Sequence, residues 1–180
     1  MDYKKLYDQK FSGNYSNPDY RHQFLENNLK TLNIDSAIDL GSGRGHTIRI
    51  LQKFPLVKIT AFDLNNYHNI HGVNHINGSL CSDDDLKGII NENFDLAVCL
   101  DVIEHLEEDC ANNIISVISK ISEFAILSIA ATIEPPVHIT IKPKEYWDDV
   151  IKKYFEILVE EEDPRPVFYY VLKSINKTIE

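Results

Sequence analysis

Residues 38–45 read IDLGSGRG. The run SAIDL (36–40) is short and apolar, as a strand would be, and HTIRILQKF (46–54) carries Ile48, Leu51 and Phe54 at helical spacing. Pro55 closes that helix. The stretch is therefore a strand, a glycine turn and a helix. Glycines at 41, 43 and 45 permit a tight turn and let the backbone approach a ligand closely. The helix start behind them favours an anionic group. Asp63 follows 22 residues after Gly41, at the end of the next strand-like run, VKITAFDL (57–64). An acid at that position can accept both hydroxyls of a ribose. A dinucleotide turn prefers G-x-G-x-x-G; here the spacing is G-x-G-x-G.

The alternation continues along the chain. VNHINGS (73–79) reads as a short strand, and SDDDLKGII (82–90) as a helix start with Ser82 or Asp83 at the N-cap. FDLAVCL (94–100) and EFAILSIAA (123–131) are near-continuous apolar runs, as buried parallel strands require. Between them, EEDCANNIISVISKI (107–121) puts Ile114, Ile115, Ile118 and Ile121 on one helical stripe. KPKEYWDDVIKKY (142–154) reads as a helix opened by Pro143. FEILVEEED (155–163) and VFYYVLKSI (167–175) are separated only by PRP. A parallel crossover takes about a dozen residues or more, so this pair is antiparallel. The pattern predicts an α/β fold, an open and mostly parallel sheet with helices on both faces. We expect one domain over 1–180. Within it, 34–180 forms the core and 1–33 an N-terminal helical extension, with Tyr3, Tyr7 and Phe11 at i, i+4 and i+8. That stripe packs on the domain or serves as a lid over a ligand.

Composition narrows the function classes. The formal net charge is −10, with 43% hydrophobic and 26% charged residues. Nucleic-acid binders rely on a basic stripe to meet phosphates, and Lys4–Lys5 and Lys152–Lys153 are too little for one. Nucleic acid is therefore not the expected partner. No apolar run reaches the roughly 18 residues that span a bilayer, and the first residues, MDYKKLYDQKF, are charged rather than a signal peptide. Three irregularly spaced cysteines, Cys81, Cys99 and Cys110, suggest neither a disulfide framework nor a zinc knuckle. The expectation is a soluble, cytoplasmic protein in a reducing compartment.

Taken in order, IDLGSGRGHT, AFDL and FDLAVCLDVIEHLEED resemble the motifs of the class I S-adenosylmethionine-dependent methyltransferases. The resemblance covers residues 36 to about 175. It implies a Rossmann-like seven-stranded sheet of order 3-2-1-4-5-7-6 with strand 7 antiparallel. It implies S-adenosyl-L-methionine as cofactor and S-adenosyl-L-homocysteine as product. Asp39 and the turn at Gly41, Ser42 and Gly43 would hold the methionine end. Asp63 would bind the ribose, with Leu64 beside the adenine. Where the family often has Gly-Asp in its third motif, this chain has Ser79, so Ser79 and the backbone of Leu80 would read the adenine edge. The family's helix between its second and third strands is reduced here to NNYHNIHG, a turn or two. His68, His71 and His75 near that stretch lie among glycine and asparagines, and are expected as surface loop residues.

Ligands in such folds bind beyond the carboxyl ends of the strands. Leu100, Asp101 and Val102 would then face the reaction centre, with Glu104 and His105 just after. Methyl transfer needs the acceptor held in line about 3 Å away and shielded from water. A general base adds about 10²–10⁴-fold where a proton must leave. Asp101, His105 and His138 are the candidates for this chemistry. His138 begins an H-x-[TN] pattern with a later Pro and Trp that resembles small-molecule O- and N-methyltransferases. The DNA-type Pro-Pro-aromatic motif is absent, and Cys99 reads as core rather than as a nucleophile. The expected acceptor is an oxygen or nitrogen of a small molecule.

Three alternatives stay open. The small-RNA 3′-end 2′-O-methyltransferases have an E-x-x-E-H motif plus a later histidine that bind a divalent metal. No metal is expected here, because Asp101 replaces the first Glu; the alternative ligand set is Glu104, His105 and His138. Ser79 also leaves room for a cofactor-binding subunit without turnover. An oxidoreductase binding NAD(P) would leave D-V-I-E-H-L without a role. Asp101 and Glu104 also fit a capping box that involves no catalysis, with Asp101 as N-cap and Glu104 reaching back.

Overall fold

A computed structural model describes residues 20–133 and 137–176. The elements run α1 (Tyr20–Leu29), β1 (Ser36–Leu40), α2 (His46–Leu51), β2 (Lys58–Asp63), β3 (Asn74–Asn77), α3 (Asp83–Leu86), β4 (Phe94–Leu100), a 3₁₀ turn (Ile103–His105), α4 (Glu108–Ile121), β5 (Ser122–Ala130), α5 (Lys144–Ile151), β6 (Phe155–Asp163) and β7 (Val167–Ser174). The seven strands form one sheet of order β3-β2-β1-β4-β5-β7-β6. β7 runs antiparallel to both neighbours, and the pairings among β1 to β5 are parallel. Strands, order and directions agree with the expectation.

Strand alternation divides the core between the two faces. Ile38 and Leu40 of β1, Ala97 and Cys99 of β4, and Leu127 and Ile129 of β5 point to one side, where the stripe Ile114, Ile115, Ile118 and Ile121 of α4 covers them. Ala37, Leu96, Val98, Leu100 and Ile126 point to the other, under Phe24, Leu25 and Leu29 of α1 and Ile48 and Leu51 of α2. Because both faces are covered, β4 and β5 read as continuous apolar runs rather than as alternating ones.

Three details bear on the expectations. No helix forms between β2 and β3, so the short NNYHNIHG stretch stays irregular. Ser82, not Asp83, caps α3, its side chain accepting from the Asp85 N–H at 3.3 Å. Of the N-terminal extension, α1 is described; the stripe Tyr3, Tyr7 and Phe11 lies outside the described residues. No described helix is long and apolar enough to cross a membrane.

Candidate functional site

The glycine turn is built by hydrogen bonds to the end of β2. The Gly41 N–H donates to the Phe62 carbonyl at 2.8 Å, and the Gly43 N–H donates to the Asp63 carboxylate at 2.8 Å. Gly41 sits at φ 80, and a Cβ there would come within 2.4 Å of Val102 Cγ2. Only glycine meets both conditions. The turn therefore docks against the segment after β4, which brings the IDLGSGRGHT and FDLAVCLDVIEHLEED stretches together. α2 behind it has six residues. So short a helix has a weak dipole, and the expected anion site at its start gains little from it.

Asp63 keeps an unusual balance. Burial raises its carboxyl above the usual range, and the N–H groups of Gly43, Leu64 and Asn65 offset only part of that rise. Asp39, buried in β1, is raised well above the usual range, first by burial and then by the Asp63 charge. Its Oδ2 has no hydrogen-bond partner among the described residues.

Asp101 follows β4 in the left-handed region, at φ 62. Aspartate tolerates this better than most residues, at a cost of about 1–3 kcal/mol. Its N–H donates to Ser128 Oγ at 2.9 Å, and its carboxylate pairs with Arg21 of α1. Burial pushes Asp101 up, but the Arg21 guanidinium, the neighbouring Glu104 carboxyl and the His105 charge together outweigh that and hold it low. The capping box does not form. Glu104 turns inward instead, fully buried, and its Oε1 accepts the Ala130 N–H at 3.1 Å. Its Oε2 makes no well-formed hydrogen bond among the described residues. Burial, reinforced by the neighbouring Asp101 charge, lifts Glu104 well above the usual range. The turn here is a tight 3₁₀ segment with Val102 at its N-cap, so the α-helical spacing needed for a capping box is missing.

A second loop closes onto this turn. The Ile139 and Thr140 N–H groups donate to the Glu104 carbonyl at 2.9 and 3.1 Å, and Thr140 Oγ1 donates to the Leu106 carbonyl at 2.6 Å. His105 Nδ1 lies 2.9 Å from the Val137 carbonyl, and His138 Nδ1 lies 2.7 Å from the Thr132 carbonyl. Carbonyl oxygens only accept, so both Nδ1 atoms carry hydrogen and each Nε2 is the basic nitrogen. The two rings meet edge to face, 4.7 Å between centroids. Glu104, His105 and His138 each offer a ligand atom, all within 4.8 Å of one another.

One cavity of about 630 Å³ joins these parts. Of the residues singled out from sequence, Gly41, Gly43, Asp63, Leu64, Ser79, Leu80, Asp101, Val102 and His105 line it. Asp39, Ser42 and Leu100 are buried beside it rather than in its wall, and Glu104 and His138 stand behind His105. The Ser79 hydroxyl accepts the Cys81 N–H at 3.2 Å, and the Ser79 N–H donates to Asp85.

Sequence reasoning missed three features. Arg21 reaches the site from α1, within the expected N-terminal extension. Cys81 and Cys110, both in the cavity wall, are joined by a disulfide, where the spacing of the cysteines suggests no disulfide framework. Their separation of 29 residues carries no local signal; the packing of the loop after β3 against α4 brings them together. Third, His68 is 7% exposed rather than on the surface. Its ring fills the space that a Cβ on Gly45 would need, 2.8 Å away, and meets the His75 ring edge to face.

No protein-family model matches the chain, and no curated protein matches it. Solved structures do. The N-methyltransferase NodS from Bradyrhizobium japonicum WM9, in complex with S-adenosyl-L-homocysteine, superposes with a TM-score of 0.74 at 11% identity, over 96% of this chain and 98% of that one. The small RNA methyltransferase HEN1 gives 0.68 at 16% identity, over 94% of this chain and 27% of that one. An O-methyltransferase family protein from Burkholderia thailandensis gives 0.65 at 13% identity, over 86% of this chain; this chain spans 57% of that protein's length. Sheet order, strand directions and these likenesses give the chain the fold of the class I S-adenosylmethionine-dependent methyltransferases.

Proposed function

We propose that the protein is an S-adenosylmethionine-dependent methyltransferase acting on an oxygen or nitrogen of a small molecule. The observation that carries this is the single cavity running from Gly41, Gly43 and Asp63 to Asp101 and His105. Its volume of about 630 Å³ falls within the small-molecule range of about 300–1,000 Å³. The cofactor would supply a methyl group on a sulfonium, which is already an activated leaving group. The residues have the remaining tasks. Asp63, its carboxylate fixed by the Gly43 N–H, presents its charge to a ribose. The Gly41 turn leaves backbone, not side chain, facing the ligand. Val102, Leu106 and Ile139 exclude water at the far end. His105, through Nε2, takes a proton from the acceptor, and His138 holds its ring in place. Asp101 is kept ionised by Arg21 and orients the acceptor. Cavity-lining charges are Asp63, Asp101, Glu107 and Asp109, with no lysine or arginine among the described lining residues. Such a field repels a polyanion, which supports a neutral or cationic small acceptor over RNA. Asp63→Ala should weaken S-adenosylhomocysteine binding roughly ten- to a hundredfold, the scale of hydrogen bonds to a charged group. Unchanged affinity in calorimetry would remove the ribose assignment.

The triplet Glu104, His105 and His138 favours a second reading, metal-assisted transfer to a hydroxyl. Both Nε2 atoms are set by Nδ1–carbonyl hydrogen bonds, as metal-bound imidazoles usually are, and Glu104 Oε2 makes no well-formed bond of its own. Nitrogen and carboxylate donors within 4.8 Å suit a divalent cation. Asp101 is outside this set. A bound ion would orient and acidify an acceptor hydroxyl. On this reading, purified protein binds manganese stoichiometrically and His138→Ala abolishes it. Absence of manganese binding in the wild type contradicts it and leaves the first reading untouched.

A further inference from the structure

The disulfide lies in the wall of the cofactor cavity. Cys81 belongs to the loop after β3, which carries Ser79 and Leu80, and Cys110 sits in the first turn of α4. Between them the chain contains β4, Asp101, Val102 and the 3₁₀ turn with His105. The bond therefore closes a loop around the reacting end of the cavity and ties its Ser79–Leu80 wall to its Glu107–Cys110 wall.

Among the described residues, the hydrogen bonds of 79–82 stay local. The Ser79 N–H donates to Asp85, the Cys81 N–H to Ser79 Oγ, and the Ser82 N–H to the Ser79 carbonyl. They give the loop its shape without reaching α4. The disulfide is the covalent link across. Cys81 is exposed, so a reductant can reach it, while Cys99 is fully buried and takes no part.

We propose that the Cys81–Cys110 disulfide is a positioning clamp of the cofactor site, so that the thiol–disulfide state sets cofactor affinity. This rests on the methyltransferase reading, in which Ser79 and Leu80 face the adenine. A dithiol reductant delivers two electrons and two protons. The Sγ–Sγ bond breaks, both cysteines become thiols, and the reductant leaves as its own disulfide. The Ser79–Leu80 wall then has to be ordered at each binding event, a cost that a preorganised site avoids.

The test is calorimetry with S-adenosylhomocysteine on the whole protein, before and after dithiothreitol, with thiols counted under denaturing conditions. One reactive thiol before reduction and three after confirm the two states, since the chain has three cysteines and Cys99 is unpaired. Hydrogen exchange of 78–87 and 107–113 is read in both states. The expected result is an affinity about tenfold weaker on reduction, from lost preorganisation, with faster exchange in both segments. Cys81→Ser should bind like the reduced protein and ignore dithiothreitol. Equal affinity in the two verified states overturns the proposal alone. Three reactive thiols in protein purified without reductant also overturn it. Absence of binding in both states overturns it together with the cofactor reading.

Discussion

At the residue scale, burial decides protonation more than sequence type does. Asp39, Glu104 and His68 are all ionisable and all buried, and each is driven toward its neutral form. His68 is pushed down to about 4, first by burial and then by the charges of His75 and Arg49. In the unfolded chain the same ring takes a proton near its ordinary value of 6.5. Between those values the unfolded chain binds more protons, so the His68 contribution is present above about 6.5 and lost as the pH falls toward about 4. Asp39 and Glu104 act in the opposite sense, being raised in the folded state. The informative quantity is therefore the difference between wild type and His68→Phe. Urea unfolding should show the wild type losing stability relative to the variant as the pH drops from 7 to 4. Parallel curves would place His68 in solvent.

At the element scale, the loop 137–140 holds the site together. Its N–H groups are satisfied by the Glu104 carbonyl, and its hydroxyl by Leu106. Thr140 is buried, so Thr140→Val keeps the shape and deletes one hydrogen bond. The expected loss is about 0.5–1.5 kcal/mol in urea unfolding. No change would mean that Thr140 Oγ1 exchanges its bond for water at no cost. The elements themselves were legible. Apolar runs of the right length marked β4 and β5, and the isoleucine stripe marked α4. What the sequence left hidden was the pairing between segments. The capping box in D-V-I-E is written in α-helical spacing, but the chain after Asp101 forms a 3₁₀ turn, and Glu104 is drawn inward by the Ala130 N–H.

At the scale of the whole molecule, the sheet order explains which predicted residues meet. β1 lies between β2 and β4, so the ends carrying Gly41, Asp63 and Asp101 are neighbours although they are far apart in sequence. The three motifs were readable because each sits at a strand end, where local pattern and fold agree. Arg21 and the Cys81–Cys110 bond were not, because each depends on packing between distant elements. On the proposed function, this cavity takes S-adenosylmethionine rather than a nicotinamide. Calorimetry of the wild-type protein with S-adenosylhomocysteine and, separately, with NAD tests it most directly. Micromolar binding of S-adenosylhomocysteine and no heat with NAD are expected. Heat with NAD and none with S-adenosylhomocysteine would contradict it.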